Sequence, residues 1–202
     1  MKTGIALIAV AGLASLASAA VYSNNTPIVI PGTGSLGTAN PYPSTINISG
    51  WTGTVTSAQV RLLGLSHTWP DDFDILLAGP GGAVVLMSDA GGSGDVVNIN
   101  VTFDDTGVAV PDAGPLGAGP YAPTNYVTGD AFAAPAPAGP YGSSLLAAFN
   151  AGANGNWDLF IVDDASGDIG RIDGGWQIEL VPAPGAVALL GMGGLLAARR
   201  RR

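Results

Sequence analysis

Aspartate is the main chemical resource of this sequence. Fourteen Asp and the single Glu179 make fifteen acids, Cys is absent, and His67 is the one histidine. Three groups stand out: Asp71, Asp72 and Asp74; Asp104 and Asp105, followed by Thr106; and Asp163 and Asp164 with Asp168. Calcium takes roughly six to eight oxygen ligands from carboxylates and carbonyls, and each group offers several. Strand alternation would put Asp72 and Asp74 on the same side. Asp164, Ser166 and Asp168 have the i, i+2, i+4 spacing of a calcium loop, although the glycine and the closing glutamate of an EF-hand are absent. Aspartate also forms turns by bonding its own backbone, and that role competes for the same positions. Zinc prefers His and Cys ligands, which this sequence lacks.

Other chemistries find less support. A Ser-His-Asp triad would have to use His67, and no Gly-x-Ser-x-Gly elbow is present. His67 ends a predicted strand, where it is placed to orient the Asp71/Asp72 turn by hydrogen bonding. Gly32-Thr33-Gly34-Ser35-Leu36-Gly37 matches a dinucleotide fingerprint in spacing. Pro41 and Pro43 follow where a helix should open, so the segment reads as a loop. An aspartate dyad across a cleft would make a small extracellular hydrolase. Glu179 alternates outward beside Gln177, without the apolar pocket a general acid needs. The aromatics offer a third alternative: Trp69 in a turn, with Tyr121, Tyr126 and Tyr141, would make a sugar-stacking surface for a carbohydrate-binding module. The preferred reading is that these rings cap the core of the sandwich.

The elements that must position these groups are short strands. Ala58, Val60 and Leu62 alternate with polar neighbours, as do Val97 to Phe103 and Trp176 to Leu180. Phe73, Ile75 and Leu77 form a shorter alternation, and Ala83 to Met87 an apolar strand. Residues 157–162 are nearly all apolar, as in a strand covered on both faces. Trp157 and Trp176 fall on core positions. Gly, Pro and Asp punctuate these runs with turn chemistry, as in Gly79-Pro80-Gly81-Gly82 and Asp89-Ala90-Gly91-Gly92. The pattern predicts an all-β sandwich of two facing sheets. Residues 106–143, rich in Gly, Pro and Ala, break the rhythm. Their aromatics predict an ordered excursion packed over one end of the sandwich. Residues 143–150 predict one or two helical turns.

The two ends read differently from the middle. Lys2, an apolar run to Leu16 and Ala17-Ser18-Ala19 have the layout of a secretory signal over 1–19, with the mature chain starting at Ala20. Pro182-Ala183-Pro184 precedes an uncharged stretch to Ala198, then Arg199, Arg200, Arg201 and Arg202. Such a tail would hold an exported chain at the membrane, its arginines inside. Between the ends, over 20–181, fifteen acids face only Arg61 and Arg171, a net charge of −13. That field attracts cations and repels anions, and it counts against nucleic-acid binding.

Two resemblances follow from these residues. Residues 182–202 resemble the bacterial PEP-CTERM sorting tail, with Pro182-Ala183-Pro184 where that family has Pro-Glu-Pro. The resemblance implies an exosortase-like sorting enzyme and delivery to the cell surface or an exopolysaccharide matrix. His67-Thr68, Asp72-Phe73-Asp74-Ile75, Gly79-Pro80-Gly81, Gly155-Asn156-Trp157-Asp158-Leu159 and Gly175-Trp176 resemble, in that order, the P domain (P/Homo B) of proprotein convertases. This likeness covers most of 46–181. It implies a jelly-roll, galactose-binding-like sandwich and an accessory, non-catalytic role. The expected protein is thus a secreted surface or matrix module, calcium-stabilised at its Asp clusters, with surface polysaccharide or other surface proteins as partners.

Overall fold

The computed structural model describes residues 18–31 and 36–183. Most of the expected leader, residues 32–35 of the glycine loop, Pro184 and Arg199 to Arg202 lie outside them. Among the described residues, thirteen strands form two sheets packed face to face, so the sandwich expected from the alternation is present.

In the first sheet the spine is β5 (Val55–His67). On one edge it pairs antiparallel with β13 (Trp176–Pro182) and, nearer its end, with β12 (Gly170–Ile172). On the other edge lies β8 (Val96–Ala109). β1 (Ala20–Asn24), β2 (Ile28–Ile30) and β9 (Tyr121–Ala122) complete this sheet. At Gly64 the register of β5 against β8 shifts. Gly64 has φ +73, and its N–H donates to the Asn100 side chain at 2.9 Å. Glycine meets the positive φ that the bulge requires.

The second sheet centres on β6 (Phe73–Gly79) and β11 (Gly155–Asp163). β7 (Gly82–Ser88) and the two-residue β10 (Thr124–Asn125) extend one side. β3 (Gly37–Thr38) and β4 (Ser44–Ile48) pair with successive parts of β11 on the other.

Alternating residues fill the space between the sheets. Val60, Leu62, Phe103, Trp176 and Ile178 from the first meet Phe73, Ile75, Leu77, Trp157 and Ile161 from the second, all at most 1% exposed. Both predicted core tryptophans are there, with their N–H groups satisfied: Trp157 donates to Ala153 O at 2.8 Å and Trp176 to Ser44 Oγ at 3.0 Å. Pairing a large ring with a hydrogen-bonded N–H lets it be buried at little polar cost.

The second sheet is also covered outside. Leu76, Val85 and Phe160 form a separate buried cluster against Tyr42, Phe132, Ala136 and Tyr141. The excursion is therefore ordered, as expected, but its Phe132 and Tyr141 lie over the outer face of this sheet rather than one end of the sandwich. β6, β7 and β11 carry apolar side chains on both faces. A second layer must remove the outer row from water. The predicted helical turn is α1 (Leu145–Ala148).

Candidate functional site

The antiparallel register brings the start of β6, the ends of β5, β7 and β11 and the start of β12 to one end of the sandwich. Asp71, Asp72, Asp74, Asp163, Asp164 and Asp168 gather there. So does Asp89, just past β7, which sequence patterning assigned only to a turn. Asp130, from the excursion, joins them.

The tightest grouping is Asp74, Asp89 and Asp130, whose carboxylate oxygens lie within 4.8 Å of one another. Asp74 is only 5% exposed. Burial, then the charges of Asp130, Asp164 and Asp89, push its carboxyl up to about 7, while a hydrogen bond with Ser88 works the other way. Ser88 Oγ also lies 3.0 Å from Asp89 Oδ2. Asp89 takes a backbone φ of +49, unusual for a residue with a side chain. Asn125 Nδ2 donates to Asp130 Oδ2 at 2.6 Å. Oxygen donors without nitrogen or sulfur suit a hard cation such as calcium and do not suit zinc.

A second grouping lies beside it. Asp72 falls in the 3-10 turn Pro70–Asp72, so the strand alternation expected to place it with Asp74 does not reach it. Its carboxyl is raised to about 7 by burial, by a hydrogen bond with Asp168 and by the charges of Asp168, Asp163 and Asp164. Asp168 in turn accepts from Thr68 Oγ1 at 2.8 Å. Asp71 is raised by burial and by Asp89 and Asp112. Asp164 is raised first by burial and then by the charge of Asp89.

Asp163 points inward, 1% exposed, and burial raises it to about 6 against the N–H of Ala165. Its Oδ2 faces His67 Nε2 at 3.7 Å, and both atoms lack a hydrogen-bond partner. His67 Nδ1 accepts the Trp69 N–H at 3.1 Å, so it orients the turn as expected. That bond leaves the neutral ring's proton on Nε2, towards Asp163. Burial lowers the His67 pKa.

Asp104 and Asp105, also expected as metal ligands, are taken up by the protein's own donors. Asp104 accepts from Thr106 N and Oγ1, both at 2.8 Å, and from Gln59 Nε2 at 2.7 Å. The bonds from Thr106 and Gln59 outweigh its burial, so its pKa is lowered. Asp105 accepts from Leu145 N, Leu146 N and Ser144 Oγ at 2.7–2.8 Å, capping α1. These are the orphan donors of a helix start. The pair sits in β8, away from the acidic end.

The four aromatic candidates differ in exposure and in hydroxyl partners. Tyr121 is 7% exposed, and its hydroxyl accepts from Gly117 N. Tyr126 is exposed and its hydroxyl donates to Val110 O at 2.8 Å. Trp69 is exposed at the head of the 3-10 turn. Tyr141 alone of the four lines a cavity of about 650 Å³ between 122–130 and 139–143. A second cavity, about 480 Å³, lies over His67, Val97, Ile169 and Arg171. Neither cavity is lined by Asp72 or Asp168.

Comparison with family models, with curated proteins and with solved structures finds no match.

Both cationic side chains among the described residues are engaged elsewhere: Arg61 with Glu179 at 3.2 Å and Arg171 with Asp173 at 3.0 Å. Every charge that raises the Asp71, Asp72, Asp74, Asp163 and Asp164 pKa values is another carboxylate.

Proposed function

We propose that the protein is an exported, non-catalytic β-sandwich of the cell surface or extracellular matrix, whose acidic end is held together by bound calcium. The observation that carries the calcium reading is the approach of the Asp74, Asp89 and Asp130 carboxylates, while both arginines among the described residues pair with other acids. Three segments distant in sequence supply them, so a cation there would tie the excursion to β6 and β7. Export and sorting rest on the signal-like residues 1–19 and on the PEP-CTERM-like tail, Pro182 through Arg202. The accessory role rests on the P-domain resemblance.

The test is thermal unfolding of the full-length chain in EDTA and in millimolar calcium. A ligand bound only by the native state at a hundred times its Kd adds about 2.7 kcal/mol. At this chain length that amounts to a rise in Tm of roughly 5–10 °C. Asp89→Asn and Asp130→Asn should each abolish the rise. Identical curves with and without calcium would overturn the reading.

A further inference from the structure

The cavity beside the acidic end is built on β7. One wall follows β10, where Thr124 and Asn125 pair with Met87 and Ser88. The other wall contains Gly142, which bridges to Val84 and whose N–H donates to Ala83 O at 2.8 Å. Val85, between those anchor points, forms the floor. The first wall ends at Asp130, which belongs at once to the cavity lining and to the carboxylate trio.

The lining joins two kinds of surface. Its residues include Pro123, Pro140 and Tyr141, which carry apolar surface, and Asn125, Thr128 and Ser143, which carry hydrogen-bonding groups. A pyranose has the matching character: a C–H face that packs on rings and a rim of hydroxyls. The volume of the cleft, about 650 Å³, falls within the usual range for small-ligand sites. The carboxylates alongside repel a polyanion, so a neutral sugar suits the cleft better than an acidic one.

From this arrangement we infer that the cleft between 122–130 and 139–143 binds a neutral saccharide, and that calcium at Asp74, Asp89 and Asp130 is required to hold its first wall in place. The inference rests on the calcium reading above. Without a cation, Asp130 is repelled by Asp74 and Asp89, and the wall it ends is pushed away from the sheet. With one, the repulsion becomes a shared attachment. Calcium and saccharide then favour the same conformation and each strengthens binding of the other.

The experiment is electrophoresis of the full-length chain through native gels containing dextran, galactomannan or laminarin, with millimolar calcium or EDTA, beside thermal unfolding of the same samples. The expected result is retardation by at least one of these polysaccharides in calcium, roughly tenfold weaker in EDTA, an ordinary coupling strength between two sites. Thr128→Trp, at an exposed position of the wall, should fill the cleft and abolish retardation while the calcium-induced rise in Tm persists. Asp89→Asn should abolish that rise and make retardation the same in calcium and in EDTA. A calcium-induced rise in Tm with no retardation by any of the three would overturn the saccharide inference and leave the calcium reading standing. Equal retardation in calcium and EDTA would overturn the coupling, as would retardation unchanged in Thr128→Trp the cleft. Stronger retardation in a parallel gel containing the polyanion hyaluronan would overturn the neutral class. No rise in Tm would overturn the calcium reading and this inference with it.

Discussion

Asp74 shows what a single buried carboxylate costs when its neighbours are alike. It is almost fully buried, and Asp130, Asp164 and Asp89 add repulsion to the desolvation. Replacing it with Asn keeps the shape and removes the charge. Asp74→Asn should therefore raise the Tm in EDTA at pH 7.5 by a few degrees and lose the response to calcium. Unfolding curves of the variant under both conditions check this, and a lower Tm in EDTA would contradict it. Asp105 is the opposite case, because its carboxylate satisfies three donors at the start of α1. Asp105→Ala should cost about 0.5–2 kcal/mol, the usual penalty for a lost helix N-terminal cap, in both EDTA and calcium. Urea unfolding measures that loss, and a calcium-dependent loss would place Asp105 at a metal site instead.

At the scale of elements, β6 and β11 carry the interior. Gly79 at the end of β6 faces the Trp157 ring so closely that a Cβ there would collide with it. Trp157 is fully buried and stacked on Phe149, with centroids 3.8 Å apart. Trp157→Ala should cost about 3–5 kcal/mol, as large-to-small changes at buried aromatics do, and chemical denaturation reads it directly. The apolar run 157–162 foretold a strand covered on both faces, and Trp157, Leu159 and Ile161 inside with Phe160 outside bear it out. What covers Phe160 was not legible there. A strand's own residues show that a face must be covered, but the covering segment is chosen by chain connectivity and available surface. Strand alternation likewise misplaced Asp72, since Pro70–Asp72 is a 3-10 turn and the period of two starts only at Phe73.

Over the whole molecule the excess of carboxylates becomes a dependence on pH. Asp72 and Asp74 titrate near 7 and Asp163 near 6 in the folded chain, each above its usual 3.8. The folded state then binds more protons than the unfolded state between about pH 4 and 7, so these groups make stability fall as pH rises through that window. His67 acts in the opposite sense. Its pKa is lowered in the fold, so it contributes stability above the unfolded value of 6.5 that is lost as pH falls through the folded one. Three carboxylates against one imidazole give a net prediction: in EDTA the chain should be more stable at pH 5 than at pH 7.5, and calcium should narrow the difference by favouring the ionised carboxylates. Tm measured against pH, with and without calcium, checks both parts. At this scale too, the proposed export predicts that N-terminal sequencing of the secreted protein starts at Ala20.

Alternation, turn residues and the scarcity of basic side chains are properties of neighbouring positions. They determined the all-β sandwich, its core tryptophans and the acidity of the region around Asp71 to Asp74. They also placed His67 at the end of a strand, next to the turn whose Trp69 N–H it holds. Only the tertiary structure decided which carboxylates meet. Asp74, Asp89 and Asp130 come from β6, from the turn after β7 and from the excursion, and their approach depends on strand register and on where a long loop folds back. Asp104 and Asp105 looked like the other pairs in sequence, yet a helix start and a neighbouring glutamine claimed them. Local pattern reports what a residue can do; the distance to the next donor or charge, set by segments far along the chain, decides what it does.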